Sequence, residues 1–426
     1  MGLGRSGRAA ALLLARRQWD VIVVDERVTE DAELSAAGVT FGAFAAAPQN
    51  LDLVVKSPGV PAEAAPVAAA RAAGIEVISE IELASRYLPN PILAITGTNG
   101  KTTTTELTAH LLNEGGISAI ACGNQGTALA GLVDAVAPDV WLVVECSSFQ
   151  LEDIDTFHPR GAVLLNLAPD HIDRHGSLAA YRAAKLRIFE RQTADDLSIV
   201  PRDVTLIGPM QARHIDEGAA GRGAVAWGDG GLHVDGMGLV CPWDAFAPRG
   251  RHNRENALAA AALAAHAGLS ATAIASGIAS FVGGPHRLEV VAEIDGVRYI
   301  NDSKATNPEA AMAALNAEPT GVHLIIGGQA KGTPFAPLAA VASGPVVRAY
   351  VIGEASVDIA EAFATAGIAI ERSGRLSVAV RAAAARARPG EVVLLAPACA
   401  SFDQFTGYED RGDQFRALVA TLPSGR

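Results

Sequence analysis

The segment 92–102, ILAITGTNGKT, constrains the fold more than any other stretch of the chain. An uninterrupted short apolar run is the mark of a strand buried on both faces of a parallel sheet. It leads into Gly97-Thr98-Asn99-Gly100-Lys101-Thr102-Thr103, and helical spacing follows over 101–113. Strand, glycine loop and helix in that order is the setting a phosphate loop requires. Backbone N–H groups of such a loop face anionic oxygens, Lys101 places a charge beside the β and γ phosphates, and the Thr102 hydroxyl reaches Mg²⁺. The pattern is a short variant of G-x-x-x-x-G-K-[ST], because Ile95 stands where the first glycine belongs.

The length of 426 residues exceeds what one hydrophobic core organises, so several domains are expected. Short apolar runs at 21–25, 51–56 and 75–79 alternate with an alanine-rich helical stretch over 61–73, a βαβ rhythm of Rossmann-like type. Further strands are predicted at 141–145 and 162–166, short strands with glycines over 197–247, and two helices over 253–278. Gly283-Gly284-Pro285 reads as a hinge, beyond which strands at 322–326, 349–352 and 392–396 alternate with helices. The fold class is therefore α/β with three domains: a Rossmann-like segment 1–84, a central P-loop ATPase-type parallel sheet over 85–283, and a second Rossmann-like segment 284–426.

A net charge of −12 argues against nucleic acid and anionic lipid as partners. No apolar run is long enough to span a membrane. Cys122, Cys146, Cys241 and Cys399 are scattered without a C-x-x-C pair, as expected of reduced thiols in a cytoplasmic protein. Met1 to Ser6 fits a myristoylation pattern, but a glycine-rich turn explains the same residues. A monomer is expected.

Gly2-Leu3-Gly4-Arg5-Ser6-Gly7 also fits G-x-G-x-x-G, with Asp25 at the distance a dinucleotide fingerprint requires. The strand that should precede it is missing, because the sequence begins at Met1. The central strand of the first sheet is thus expected to be absent, by truncation or a misplaced start, leaving an exposed edge.

Ligands of open parallel sheets collect at the carboxyl ends of strands. Glu145 ends the run WLVVE, Asp170 and His171 follow AVLLNL, and Lys185 lies on the next helix. Glu145 is the natural Mg²⁺ ligand and His171 a less usual one. His171 with His175 could alternatively hold zinc, and residues 170–175 could be an ordinary solvated turn.

These residues resemble the Mur ligase family. The resemblance runs through GTNGKTT at 97–103, ECSSFQLE at 145–152, DHIDRH at 170–175, YRAAKLRIFE at 181–190, GRHNRENALAA at 250–260 and GPHRLE at 284–289. NDSKATNP at 301–308 and PACASFDQF at 397–405 resemble the branch that adds D-glutamate. The resemblance implies an ATP-dependent carboxylate–amine ligase of peptidoglycan precursor synthesis, which phosphorylates UDP-MurNAc-L-alanine and joins it to D-glutamate. It implies that Gly97 to Thr103, Asn256, Arg287 and Asp302 bind ATP. Gly4, Ser6, Asp25, Ser57, Gly59 and Asn124 would contact the UDP-substrate. Lys304, Thr306, Lys331, Ser401, Phe402 and Tyr408 would surround D-glutamate. Lys101, Glu145, His171 and Lys185 are the implied catalytic set. Thr102, Glu145, His171 and a carbamylated Lys185 would hold Mg²⁺, with two ions in all. ATP contacts from two domains imply closure about the linker near Gly283.

Other readings remain open at this stage: another Mur or folate-adding ligase, a nicotinamide-dependent oxidoreductase built on the N-terminal glycine loop, or a regulatory P-loop ATPase without ligation.

Overall fold

A computed structural model describes residues 1–26, 31–43, 51–206, 208–221, 223–247, 250–318 and 320–423. They form two compact units. The first comprises Met1–Leu167, Ile172–Ala245 and Glu255–Ser280; the second comprises Ala168–His171, Phe246–Arg254 and Phe281–Arg426.

The first unit is built on a nine-stranded sheet. Its strands run in the order Gly238–Pro242, Gly231–Val234, Ala224–Trp227, Ala212–Asp216, Leu197–Ile199, Gly161–Leu164, Ile92–Thr96, Trp141–Glu145 and Ala119–Gly123. Its last five strands pair in parallel, and the three at the Gly238 end turn antiparallel. Ile92–Thr96 is buried at every position, and Ile95 pairs with Glu145, so the two strands end side by side. The helix Lys101–Glu114 covers the sheet with Leu107, Leu111 and Leu112, all fully buried. Gly277 of the helix Ala271–Ser280 lets that helix close on it, since a Cβ there would lie 2.7 Å from a Leu111 methyl.

The N-terminal strands form two separate parallel pairs, Ile22–Asp25 with Thr40–Ala43 and Leu53–Lys56 with Glu76–Ser79. Residues 1 and 2 hold the pairs together. The Gly2 N–H donates to the Val24 carbonyl at 2.8 Å, the Met1 amine to the Val55 carbonyl at 2.7 Å, and the Ser57 N–H to the Met1 carbonyl at 2.9 Å. The helix expected over 61–73 is shorter, Ala65–Ala72, because Pro66 fits only its first turn.

The second unit carries a six-stranded sheet in the order Glu289–Ile294, Val297–Asn301, Val392–Leu395, Val322–Gly327, Val346–Ile352, Ile370–Gly374. Only the first pair is antiparallel. Val322–Gly327 and Val392–Leu395 are buried at every residue, as strands covered on both faces must be. One face packs on Leu315, Leu338, Ile359 and Phe363; the other packs on Leu376, Val380, Phe415 and Val419.

No helix among the described residues is long and apolar enough to cross a membrane.

Candidate active site

Four adjacent strands of the first unit end at one edge, and the loops leaving them carry the chemistry. Gly100 caps the helix Lys101–Glu114 with φ of +84°, and an added Cβ would lie 2.2 Å from Oδ1 of Asn256. A left-handed backbone against a neighbouring side chain admits only glycine. The Thr98 N–H donates to the Asn166 carbonyl at 3.1 Å and the Asn99 N–H to Asn166 Oδ1 at 2.9 Å. Those amides are thus committed to the scaffold, and the helix N-terminus is left to face an anion, because its first N–H groups have no intrahelical acceptor.

Lys101 Nζ donates to the Gly97 and Thr98 carbonyls, 2.9 Å each. Lys185, buried, donates to the Gly97 carbonyl at 2.8 Å. Lys185 also lies 4.6 Å above the ring of Tyr181, whose hydroxyl is 3.2 Å from Thr98 Oγ1. Tyr181 therefore fixes both the loop and the lysine. It was not singled out from the sequence, where it is one residue of a helical run.

Glu145 is buried, and its two carboxylate oxygens differ. Oε1 accepts from Asn124 Nδ2 at 2.8 Å, while Oε2 is buried without a hydrogen-bond partner. An orphaned buried oxygen is costly, and a hard cation satisfies it. Among the described residues no group of three or more His, Cys, Asp or Glu side chains could hold a metal. A single carboxylate suits Mg²⁺, which keeps waters and takes phosphate oxygens rather than an all-protein cage.

Gly4, Ser6, Asp25, Ser57, Gly59 and Asn124 all line one cavity of about 500 Å³ in this unit. Asp25 Oδ2 accepts the Leu3 N–H at 2.6 Å, so this carboxylate shapes the glycine loop itself. Arg174 donates to the Val60 carbonyl at 2.6 Å and to the Gly59 carbonyl at 3.3 Å, pinning the opposite wall. Lys56, fully buried, joins Asp153 at 3.0 Å beneath the same loop.

His175 does not serve as a zinc ligand with His171. Its Nε2 is 2.9 Å from Ser148 Oγ and its Nδ1 is 3.2 Å from Glu152 Oε1, so both ring nitrogens are engaged. The buried imidazole instead ties the segment after Glu145 to the helix Ile172–His175.

The remaining predicted residues lie in the second unit. His171 takes φ of +52°, its N–H on Asp170 Oδ1 at 3.0 Å. Burial pushes the Asp302 carboxyl up to about 7, against the pull of the Leu288 N–H and the Arg287 charge. Lys304 Nζ sits 3.8 Å over the ring of Tyr408, and the Thr306 N–H donates to the Lys304 carbonyl at 2.7 Å. Ser401 is buried, Phe402 is 70% exposed, and Lys331 is exposed.

A phosphate loop, a metal-competent carboxylate and an adjacent cavity in one unit, in a chain that also carries a second α/β unit with its own polar loops, define an ATP-using enzyme of modular α/β build. Family profiles match in chain order: "Mur ligase MurD-like, N-terminal domain" at 1–79, "Mur ligase middle domain" at 95–264 and "Mur ligase, glutamate ligase domain" at 286–399. The UDP-N-acetylmuramoylalanine–D-glutamate ligase of Myxococcus xanthus is 43% identical, covering 99% of this chain and 97% of that one. The enzyme of that name from Pelotomaculum thermopropionicum is 40% identical, covering 100% and 97%. Among solved structures, a pseudomurein peptide ligase type C from Methanothermus fervidus shares the fold, with a TM-score of 0.62 at 17% identity over 99% of this chain and 98% of that one. The chain belongs to the Mur ligase family, on its MurD-like branch, and is an ATP-dependent ligase.

Proposed function

We propose that the chain adds D-glutamate to UDP-N-acetylmuramoyl-L-alanine in cytoplasmic peptidoglycan precursor synthesis, acting as a monomer. One observation carries the reading: Asn124 lines the large cavity and also holds Glu145, so an acid bound in the cavity ends beside the carboxylate expected to meet the phosphate-bound metal.

The chemistry follows. An oxygen of the alanine carboxylate attacks the γ-phosphorus of ATP, and ADP leaves. The amine of D-glutamate then attacks the carbonyl carbon of the acyl phosphate, loses a proton, and expels phosphate. A bare carboxylate could expel only oxide, so phosphorylation supplies the leaving group. The protein positions the partners and neutralises charge. Lys101 and the first-turn amides hold the phosphates. Thr102, Glu145, His171 and a carbamylated Lys185 would hold Mg²⁺ in two sites, and the ion would supply charge neutralisation for the transferred group.

Residues 1–84, 85–283 and 284–426 divide the work among UDP-substrate, ATP and amino acid. Gly4, Ser6, Asp25, Ser57, Gly59 and Asn124 hold the first. Gly97 to Thr103, Asn256, Arg287 and Asp302 hold the second. Lys304, Thr306, Lys331, Ser401, Phe402 and Tyr408 receive D-glutamate, whose carboxylates suit the two lysines.

Heavy-oxygen labelling of the alanine carboxylate tests the route. Transfer of a labelled oxygen into the released phosphate is expected; phosphate free of label would rule out the acyl phosphate.

A further inference from the structure

Among the described residues Arg411 is the largest fully buried side chain, and no carboxylate lies within ion-pair distance of it. Its guanidinium bonds instead to backbone and hydroxyl oxygens. Nε donates to Ser303 Oγ at 2.9 Å, and one terminal nitrogen donates to the Ser303 carbonyl at 2.8 Å. The other donates to the carbonyls of Cys399 and Ala400 at 3.2 and 3.4 Å. Burial lowers the pKa of this group to about 10, which still leaves it cationic at neutral pH. The Asp403 carboxylate acts on it only at longer range than an ion pair, and an interior charge so weakly compensated is costly, so its retention calls for a reason.

The reason lies in which peptide groups it holds. The Ser303 carbonyl shares a peptide plane with the Lys304 N–H, and the Ala400 carbonyl shares one with the Ser401 N–H. The Ala400 carbonyl also accepts the Gln329 N–H at 2.9 Å, and the Ala400 N–H returns a bond to Gln329 at 3.0 Å, two residues before Lys331. Three loops are thereby joined at one point. They leave Val297–Asn301, Val392–Leu395 and Val322–Gly327, which are neighbours in the sheet. Gly328 makes room at the crossing, since a Cβ there would lie 2.2 Å from the Ala400 carbonyl and 3.3 Å from Arg411. Ser303 Oγ, besides accepting from Arg411, donates to the Tyr408 carbonyl at 2.8 Å.

We propose that Arg411 is a positioning residue for the amino-acid substrate: its planar fork sets the mutual geometry of the loops bearing Lys304, Lys331 and Ser401. The proposal rests on the D-glutamate reading above and goes beyond it, because Arg411 itself touches no substrate. Lysine cannot replace it, since one ammonium cannot reach four acceptors spread along two chain segments. An apolar residue would leave those carbonyls unpaired in the interior.

The test uses the full chain with Arg411→Lys and the milder Ser303→Ala, measuring KM separately for ATP, UDP-MurNAc-L-alanine and D-glutamate, with melting temperature alongside. Arg411→Lys is expected to raise the KM for D-glutamate about tenfold or more, the scale of one lost charge-assisted hydrogen bond, with the other two KM values moving about twofold or less. Ser303→Ala, which removes one acceptor and keeps the guanidinium, is expected to shift the same constant about threefold on the scale of a neutral hydrogen bond. Parallel rises in all three KM values, or a folded variant with unchanged KM for D-glutamate, would overturn the proposal. If Arg411→Lys fails to fold, Ser303→Ala decides. Wild-type turnover with a different amino acid and none with D-glutamate would instead sink the substrate reading, and the KM for that amino acid would then judge Arg411.

Discussion

Lys101 and Lys185 donate to the same carbonyl oxygen, that of Gly97, at 2.9 and 2.8 Å. Two ammonium groups converging on one oxygen, at the edge where a triphosphate is expected, repel each other by an amount on the order of a few kcal/mol in a partly buried setting. An anionic ligand relieves that repulsion, and so does conversion of Lys185 to a carbamate.

The first prediction concerns that conversion. Turnover in carbon-dioxide-free buffer should fall and return on addition of bicarbonate. Lys185→Ala should lower kcat far more than it weakens ATP binding, with partial recovery in short-chain carboxylates that replace the missing anion. Equal losses in kcat and ATP affinity, with no response to bicarbonate, would make Lys185 a structural lysine only.

Gly100→Ala tests the phosphate loop itself. A non-glycine residue at a left-handed φ costs roughly 1–2 kcal/mol, and here the new Cβ also meets Asn256 Oδ1 at 2.2 Å. The dissociation constant for ATP should rise about tenfold or more, as read by calorimetry, since such a strain is worth about a factor of ten. An unchanged constant would mean that the phosphates bind elsewhere.

Glu80 supplies a pH signature of stability. It is wholly buried, Oε1 accepts the Ala130 N–H at 2.5 Å, and Oε2 has no hydrogen-bond partner. Burial pushes its carboxyl from 4.5 up to about 7, against the pull of that amide. The folded chain therefore binds more protons than the unfolded one between those values, and stability falls as pH rises through this window, by on the order of 1–3 kcal/mol. Asp302, also raised to about 7, adds to the same slope. Glu80→Gln should flatten the melting-temperature profile between about pH 5 and pH 7, whatever its effect on absolute stability. A variant with the wild-type slope would show that Glu80 does not titrate there.

The strands Ile92–Thr96 and Trp141–Glu145 are legible in the sequence to the residue, because an apolar run ending in a glycine loop or a carboxylate marks both the buried strand and its functional end. The six residues expected around the UDP-substrate do line one cavity, although only the glycine loop advertised it. What the sequence hid is the buried polar framework. Nothing local distinguishes Arg411, Tyr181 or His175 from solvated helix residues, since each is fixed by a hydroxyl far away in the chain: Ser303, 108 positions from Arg411; Thr98, 83 from Tyr181; and Ser148, 27 from His175. The expected break in the first sheet appears as two strand pairs joined through residues 1 and 2, a pattern set by long-range backbone pairing that periodicity does not encode.

The most direct test is phosphate release by the purified chain with ATP, Mg²⁺ and UDP-MurNAc-L-alanine, comparing D-glutamate with L-glutamate. Release should require the UDP-substrate and D-glutamate together, with L-glutamate slower by about a hundredfold or more, as expected where misplaced carboxylates leave buried charges unpaired. Release that ignores the glutamate stereocentre, or proceeds without the UDP-substrate, would contradict the account.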